Sequence, residues 1–458
     1  MTGPILTITS GVSTAWLDST AVRGAIGAIV IVVLYFLVRE LRKVPAKLHV
    51  LMFTAFLDMV GTLIVIPLLP FYASRMGGGG LVVGVLVSAF AVAQLLSAPL
   101  WGKFSDRFGR RPTLLVALGA SVIAYIIFGY ATSLLMLFLA RIVQGAGGGT
   151  VGVIQAYVAD ATEPKDRAKS LGWLSAATNL GVALGPVLGS WAAMVGAKHF
   201  AVGSTTFSIG PAAPGLLAAA LCALNMIFAW RYLSESRMTT SEMKAAQAAS
   251  LAPPSTARSA LKRVVTHPSD PAPRLIWIYA ITMGAFSGVT AVLALFLAAE
   301  FAVTEHTIGY FFGYIGVISV LTRVMILGRM VDRFGEPRLS RLGMVLLAAG
   351  LGGLPIAGSL PALAFFVALI PLGTAFTFPC VTAMLSRVIN AHERGLYMGV
   401  QQTFGGVARV GFPLMMGLMF DRLGHGWPFY TSAALVLATI TLGFGMEGYI
   451  RPKVSPTA

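Results

Sequence analysis

A chain of 458 residues that is 57% hydrophobic and only 11% charged, with a mean hydropathy of +0.82, does not have the composition of a water-soluble protein. Its apolar residues fall in unbroken runs such as LLVALGASVIAYIIFGY, which excludes a transmembrane β-barrel, whose strands alternate apolar and polar residues with a period of two. The net charge of +16 falls largely in short loops between the runs, which excludes a nucleic-acid-binding role and leaves an all-α integral membrane protein.

Crossing the hydrocarbon takes about 20 apolar residues per helix. In chain order the runs lie at 24–38, 48–72, 82–101, 112–130, 133–158, 168–194, 214–230, 275–298, 307–327, 342–357, 362–385, 395–418 and 428–450. That is twelve spans after an extra first one. The first run, AIGAIVIVVLYFLV, is preceded only by Arg23, followed by four basic residues and closed by no AxA-like site, so it reads as an uncleaved extra N-terminal transmembrane helix rather than a signal peptide. If the span at 48–72 starts in the cytoplasm, the loops at 39–47, 102–112, 163–169, 231–274, 329–341, 387–394 and 451–458 face inward and hold 26 of the 33 basic residues. That excess sets the orientation and predicts a multi-pass protein of the cell inner (plasma) membrane. Cys222 and Cys380 both lie inside apolar runs and read as packing residues.

The chain repeats itself. GKFSDRFG at 102–109 aligns with GRMVDRFG at 328–335, DRAKSLG at 166–172 with ERGLYMG at 393–399, and Pro186 with Pro413. The predicted organisation is an extra helix and linker at 1–47, a six-helix half at 48–230, a cytoplasmic linker at 231–274 rich in Ala, Ser, Pro and charge, a second six-helix half at 275–450, and a tail at 451–458. Parallel repeats joined in this way are a design of transporters that bind substrate near mid-membrane between the halves.

Several stretches carry a family resemblance: the two GxxxDRFG loops, FLDMVGTLIVIPLLP at 56–70, and QAYVADATEPKDRAKSLGWLSAATNLGVALGPVLG at 155–189. With these motifs in order on the expected spans, the chain resembles the major facilitator superfamily across 48–450, and within it the drug:proton antiporter branch of tetracycline-efflux type. The resemblance implies the major-facilitator fold and a monomer in the bilayer. It further implies proton-coupled export of a small molecule by alternating access. A metabolite symporter on the same fold and a transporter-like sensor or assembly factor are the rival readings.

In GKFSDRFGRRP, Gly102 and Gly109 permit a tight reversal and Arg107, Arg110 and Arg111 anchor the turn on the cytoplasmic side. Asp106 either serves that anchor or docks on a positive helix N-terminus of the other half; the resemblance implies a latch holding the cytoplasmic side closed. Asp332 and Arg333 repeat the frame, with Glu336 and Pro337 in place of the second Arg pair, which predicts a weaker latch. Gly181, Gly185 and Gly189, every fourth residue, offer a close helix approach, and Pro186 favours a kink. The resemblance identifies them with an antiporter motif.

Asp58 interrupts an apolar span about midway, where a charge costs at least about 2.5 kcal/mol on insertion scales. Burial disfavours the charged form of a carboxyl, so Asp58 is the candidate proton carrier. Arg141 is the matching charge on the fourth span, and the resemblance implies that the first and fourth spans line the central cavity; a purely structural ion pair is the alternative. The repeat maps Asp58 onto Gly284, which predicts coupling chemistry in the first half. Gln144, Gln155, Asn179, Gln401, Gln402 and Arg409 are candidate substrate contacts, with Gln94 a further amide inside a span. Tyr125, Phe128, Tyr310 and Tyr314 read first as packing. No GxxxxGK[ST], HExxH or paired Cys/His spacing occurs, so neither cofactor nor metal is expected and an ion gradient is the expected driving force.

Overall fold

The computed structural model describes residues 46–148, 150–162, 167–198, 200–202, 205–207, 209–235, 257–390 and 393–449. Contacts divide the chain into Met1–His49 and Val50–Ala458. The extra helix expected at 24–38 lies outside the described residues.

The first span is α1 (Ala46–Val65), continued after a turn by α2 (Leu69–Arg75). The second is α3 (Gly80–Phe108) and the third α4 (Arg110–Gly129). The fourth is split into α5 (Leu134–Gly147) and α6 (Thr150–Ala161); the fifth is α7 (Arg167–Gly196) and the sixth α8 (Ala213–Tyr232). An antiparallel hairpin, β1 (Phe200–Val202) with β2 (Thr205–Phe207), pairs Phe200 with Phe207 in the connection between fifth and sixth spans. It departs from the all-α expectation where the membrane imposes no helix. A short helix, α9 (Ala257–Thr266), precedes the second half.

The seventh span is α10 (Pro271–Phe301). The eighth and ninth are α11 (Ile308–Leu321), a π-helical turn at Thr322–Ile326, and α12 (Leu327–Gly353), which reverses at Gly335 with φ 73°. The tenth is α13 (Leu360–Val388), the eleventh α14 (Arg394–Arg422) and the twelfth α15 (Trp427–Gly443). Ten helices are long and apolar enough to cross a membrane; one of them, Ile308–Ile356, doubles back as two spans, and Trp427–Gly443 is a shorter apolar helix. The result is twelve crossings among the described residues.

The sequence repeat is carried by repeated local devices. Gly109 and Gly335 occupy the same place in their halves and both adopt positive φ, 103° and 73°, a region open to glycine at no steric cost. Ser133 and Ser359 both cap a fourth span of their half, accepting from Met136 N at 3.3 Å and Ala362 N at 3.5 Å; each satisfies one of the orphan N–H groups that a helix start leaves. Within the segment expected as a linker, 231–274, α9 packs on the second half. Ala260 and Val264, one turn apart, are buried, Trp277 Nε1 donates to the Val264 carbonyl at 3.1 Å, and α9 packs on α10 and α14. An amphipathic turn inside the polar segment has joined the core.

Within the first half, α3 packs on α5, and α4 on both α5 and α8; within the second, α10 packs on α14 and α15, and α12 on α13 and α15. The halves meet chiefly through α3 against α14 and α7 against α11. At one end these pairs approach backbone to backbone: a Cβ on Gly84 would lie 2.3 Å from the Pro413 carbonyl oxygen, one on Gly417 2.2 Å from that of Gly80, and one on Gly316 2.4 Å from Ala183 Cα. At the other end, where the DRFG loops and most of the basic residues lie, Gly102, Gly172, Gly328, Gly395 and Gly399 would meet nothing within 4 Å. The bundle is closed at the end away from the DRFG loops and splayed into a cleft at the basic end.

Close backbone packing also holds each half together. A Cβ on Gly215 of α8 would stand 2.5 Å from Gly129 Cα of α4, so Gly215→Val should force these helices apart. A loss equivalent to about 1 to 3 kcal/mol is expected, read as a lower unfolding midpoint in detergent.

Candidate functional site

The polar centre of the first half begins with a break. GAGGG at 145–149 is four-fifths glycine, which weakens a helix interior by up to about 1 kcal/mol per residue, and α5 stops at Gly147 while α6 starts at Thr150. Carbonyls at a helix end inside a membrane need donors from the protein. Gly145 O accepts from Gly148 N at 3.0 Å, and helix α3 adds further donors: Gln94 Nε2 donates to Gly148 O at 3.2 Å, Ser97 Oγ to Gly145 O at 3.4 Å, and Trp101 Nε1 to Ala146 O.

The break sets Thr150 at the head of α6, where its hydroxyl donates to Asp58 Oδ2 at 2.8 Å. Asp58 is only 6% exposed and Arg141 2%. One turn along α1, Thr62 shares a 3.2 Å hydrogen bond with the Tyr125 hydroxyl, which also accepts from Gln144 Nε2 at 3.2 Å. Gln144 Oε1 in turn accepts from Arg141 Nη1. Arg141 Nε reaches Leu86 O at 3.4 Å, and the guanidinium lies 4.4 Å from the centre of the Phe90 ring. Asp58 and Arg141 thus belong to one buried polar region, but each has its own partners. The ion pair weighed from the sequence is absent among the described contacts, because Gln144 and Phe90 occupy the guanidinium and Thr150 the carboxylate. A small cavity of about 10 Å³, lined by Ala55, Asp58, Ile154, Leu174 and Thr178, touches Asp58; it is of the size that admits about one water.

The glycine stripe of α7 lies against α1. A Cβ on Gly181 would stand 2.7 Å from Phe56 O, on Gly185 2.6 Å from Leu63 Cβ, and on Gly189 2.6 Å from Ile64 O, so the helix carrying Asp58 is seated directly on these residues. Pro186 lies within α7, and its carbonyl faces Gly309 of α11.

At the basic end, Asp106 pairs with Arg110 Nη1 at 2.9 Å and is 59% exposed. Among the described contacts it touches no helix of the other half. Arg110 also reaches Ser105 Oγ at 2.8 Å, and Glu235, just past α8, accepts from the Arg110 and Arg111 backbone N–H groups at 2.8 and 3.2 Å. Arg107 lies over Phe108 and Arg333 over Phe334, at 5.3 and 5.5 Å. Asp332 is exposed, while Glu336 is buried and pairs with Arg387 at 2.6 Å.

The candidate substrate contacts divide. Gln144 is committed to Arg141 and Tyr125. Asn179 Nδ2 donates to Ser175 O at 2.7 Å on its own helix. Gln401 is fully buried with Nε2 unpartnered, its Oε1 accepting from Thr382 at 3.4 Å. Gln155 and Gln402 are exposed and Arg409 half-buried. Gln402 reaches the Tyr279 hydroxyl at 3.4 Å. Thr150, Glu235 and Asp421 carry contacts that the sequence reading did not single out, and Tyr125 bonds as well as packs. For Thr150 the available signal was its position directly after a glycine run inside a span.

Twelve spans in two repeated halves around a cleft, with a buried acid and no nucleotide-binding loop, define a membrane transporter. The family model described as "Major Facilitator Superfamily" matches residues 51–296 and again 275–456. The chain belongs to that superfamily, and it is a transporter, not an enzyme. It is 26% identical over 409 residues, 89% of this chain and 96% of that protein, to Multidrug resistance protein 1 of Bacillus subtilis (strain 168). It is 29% identical over 383 residues, 83% of this chain and 91% of that protein, to the class C Tetracycline resistance protein of Escherichia coli. In fold it matches a bacterial homologue of the human lysosomal transporter Spinster, in an inward-facing and occupied conformation, with a TM-score of 0.70, 13% identity and coverage of 89% and 98% of the two chains.

The support that α3 gives to the broken span is testable. Gln94→Leu leaves the Gly148 carbonyl without its side-chain donor and is expected to cost about 1 to 3 kcal/mol, seen as a lower unfolding midpoint; an unchanged midpoint would show that the break is held without Gln94.

Proposed function

We propose that this transporter is a proton-coupled antiporter that exports small amphipathic, drug-like molecules across the inner (plasma) membrane by alternating access, with its basic end in the cytoplasm. The observation that carries this reading is Asp58: a carboxyl buried mid-span, held by one hydroxyl from a broken helix, beside a cavity of water size. A side chain so placed can bind a proton in one conformation and release it in the other, since moving α6 removes the Thr150 donor and admits water. Arg141, linked through Gln144 and Tyr125 to Thr62 on the same helix as Asp58, is positioned to bias that exchange. The excess of Lys and Arg on the open end supports the orientation, and the names of the multidrug and tetracycline resistance relatives support export.

The cleft is the substrate path, with Gln155, Gln402 and Arg409 as its contacts. Asp106, Arg107, Arg110 and Arg111, with Asp332 and Arg333 as the counterparts of Asp106 and Arg107, gate it. When the basic end closes, Asp106 exchanges Arg110 for a helix N-terminus of the opposite half.

Asp58→Asn mimics the permanently protonated carboxyl. In liposomes with an imposed proton gradient, and with tetracycline and a panel of amphipathic dyes as probes, it is expected to abolish uphill efflux and substrate-induced proton release while retaining binding. Arg141→Ala should impair the stoichiometric link between the two fluxes. Native-rate uphill pumping by Asp58→Asn would place the proton site elsewhere, and accumulation in the reverse direction by the native protein would make it an importer.

A further inference from the structure

The frame GxxxDRxG occurs a third time, at the closed end. Gly417, Asp421, Arg422 and Gly424 repeat the spacing of Gly102, Asp106, Arg107 and Gly109, and Gly424 adopts φ 115°, beside 103° at Gly109. This copy ends α14, and its acid does what the copy at 102–109 does not: it reaches across to the other half. Asp421 Oδ1 accepts from Gly80 N at 2.7 Å and Oδ2 from Leu81 N at 2.8 Å.

Both donors are orphan groups of the first turn of α3. Its N-cap residue is Gly79, which has no side chain to cap them, and a Cβ there would stand 2.9 Å from Asp421 Oδ1. The capping side-chain oxygen that a Ser or Asp would normally supply within the same chain segment comes instead from the opposite half. The turn bearing it is braced: His425 stacks on Phe420 with ring centres 4.6 Å apart and bonds Glu300 at the end of α10 at 2.8 Å. Around it, Gly80 lies against Gly417 and Gly84 against Pro413, while Arg75 and Glu305 make an ion pair between the halves.

We propose that Asp421 is the latch of the closed end: its carboxylate, docked on the uncapped N-terminus of α3, holds the two halves together there and lets go when the bundle opens at that end. A carboxylate at a helix N-terminus is favoured by the macrodipole and by the two N–H donors together. Because the site faces solvent, the effect is modest and screened by salt. An exposed contact of this kind changes a two-state ratio about twofold to fivefold, enough to bias a rocking equilibrium without freezing it.

The proposal rests on the alternating-access reading, so its test measures conformation alone, without substrate or proton gradient. Spin labels at Tyr130 and Trp427, exposed residues of opposite halves near the closed end, are introduced after Cys222 and Cys380 are changed to Ala, and the distance distribution is read in detergent and in nanodiscs. Asp421→Asn, which keeps the shape and removes the charge, is expected to raise the long-distance population relative to the short one about twofold to fivefold, with its unfolding midpoint unchanged. Leu81→Pro removes one of the two donors at a first-turn position where proline is tolerated; it should act in the same direction and add less than its full effect on top of Asp421→Asn. The native ratio should move with salt and the Asp421→Asn ratio should not. Unchanged populations in both folded variants, or fully additive effects, overturn the latch. Shifted populations in a protein that moves no substrate overturn the transport reading and leave the latch standing.

Discussion

Inside a bilayer every backbone N–H and C=O must find a partner within the protein, and the polar centre of the first half is arranged around a place where a helix stops providing them. Helix α5 ends at Gly147 and α6 is described from Thr150, and side chains of α3 reach the backbone carbonyls of Gly145, Ala146 and Gly148 there. Their capture by Gln94, Ser97 and Trp101 explains why α3, otherwise apolar, carries polar groups along one side of its second half. Thr150, the first described residue of α6, sits within reach of Asp58 and gives the buried acid its hydroxyl partner.

The two halves use the same local devices and different chemistry. Gly109 and Gly335 make the same turn, and Ser133 and Ser359 the same cap. Where the first half packs α1 against glycines of α7, the second exchanges the partners. Gly284, the repeat equivalent of Asp58, would place a Cβ 2.4 Å from the Phe412 ring, and Phe412 stands where the first half has Gly185. The close approach is kept with the small residue on the other helix. Filling that volume with an aromatic ring leaves no room for an acid, so the two-fold architecture carries its buried carboxyl on one side only. The DRFG turns diverge similarly: Arg110 faces Asp106 in the first, whereas Glu336 pairs with Arg387 from α13 in the second.

The spans, the repeat and the charge asymmetry were legible because each is a one-dimensional property: hydropathy, self-similarity and loop composition are read along the chain without knowing what packs on what. The Gly181, Gly185 and Gly189 stripe was legible as a close approach, but not its partner, since spacing identifies a helix face and says nothing of which neighbour meets it. The ion pair weighed as the alternative for Asp58 and Arg141 shows the limit. Both are rare intramembrane charges, and electrostatics alone brings them together on paper. Gln144, three residues after Arg141 on the same helix, is nearer by construction and satisfies the guanidinium first. The third GxxxDRxG frame escaped for another reason. It is plain in the letters, but it lies outside the offset of the internal repeat, so aligning the halves passes over it. The hairpin at 200–207 and α9 are too short for periodicity to mark.

The two ends of the bundle are held by different kinds of contact, and the difference bears on how the protein can move. At the closed end the halves touch through glycine backbones along α3 with α14 and α7 with α11, contacts that are individually weak but collectively large and that vanish together when the helices tilt. At the open end the charged groups are not left waiting for a partner: Asp106 has Arg110, and the first N–H groups of α4 have Glu235. Because Asp106 is exposed, exchanging Arg110 for a helix N-terminus of the other half would swap one solvent-exposed contact for a similar one. Two states that differ by only a few kcal/mol can both be populated, and a molecule whose apolar surface is exchanged at one end while its charges change partners at the other meets that condition.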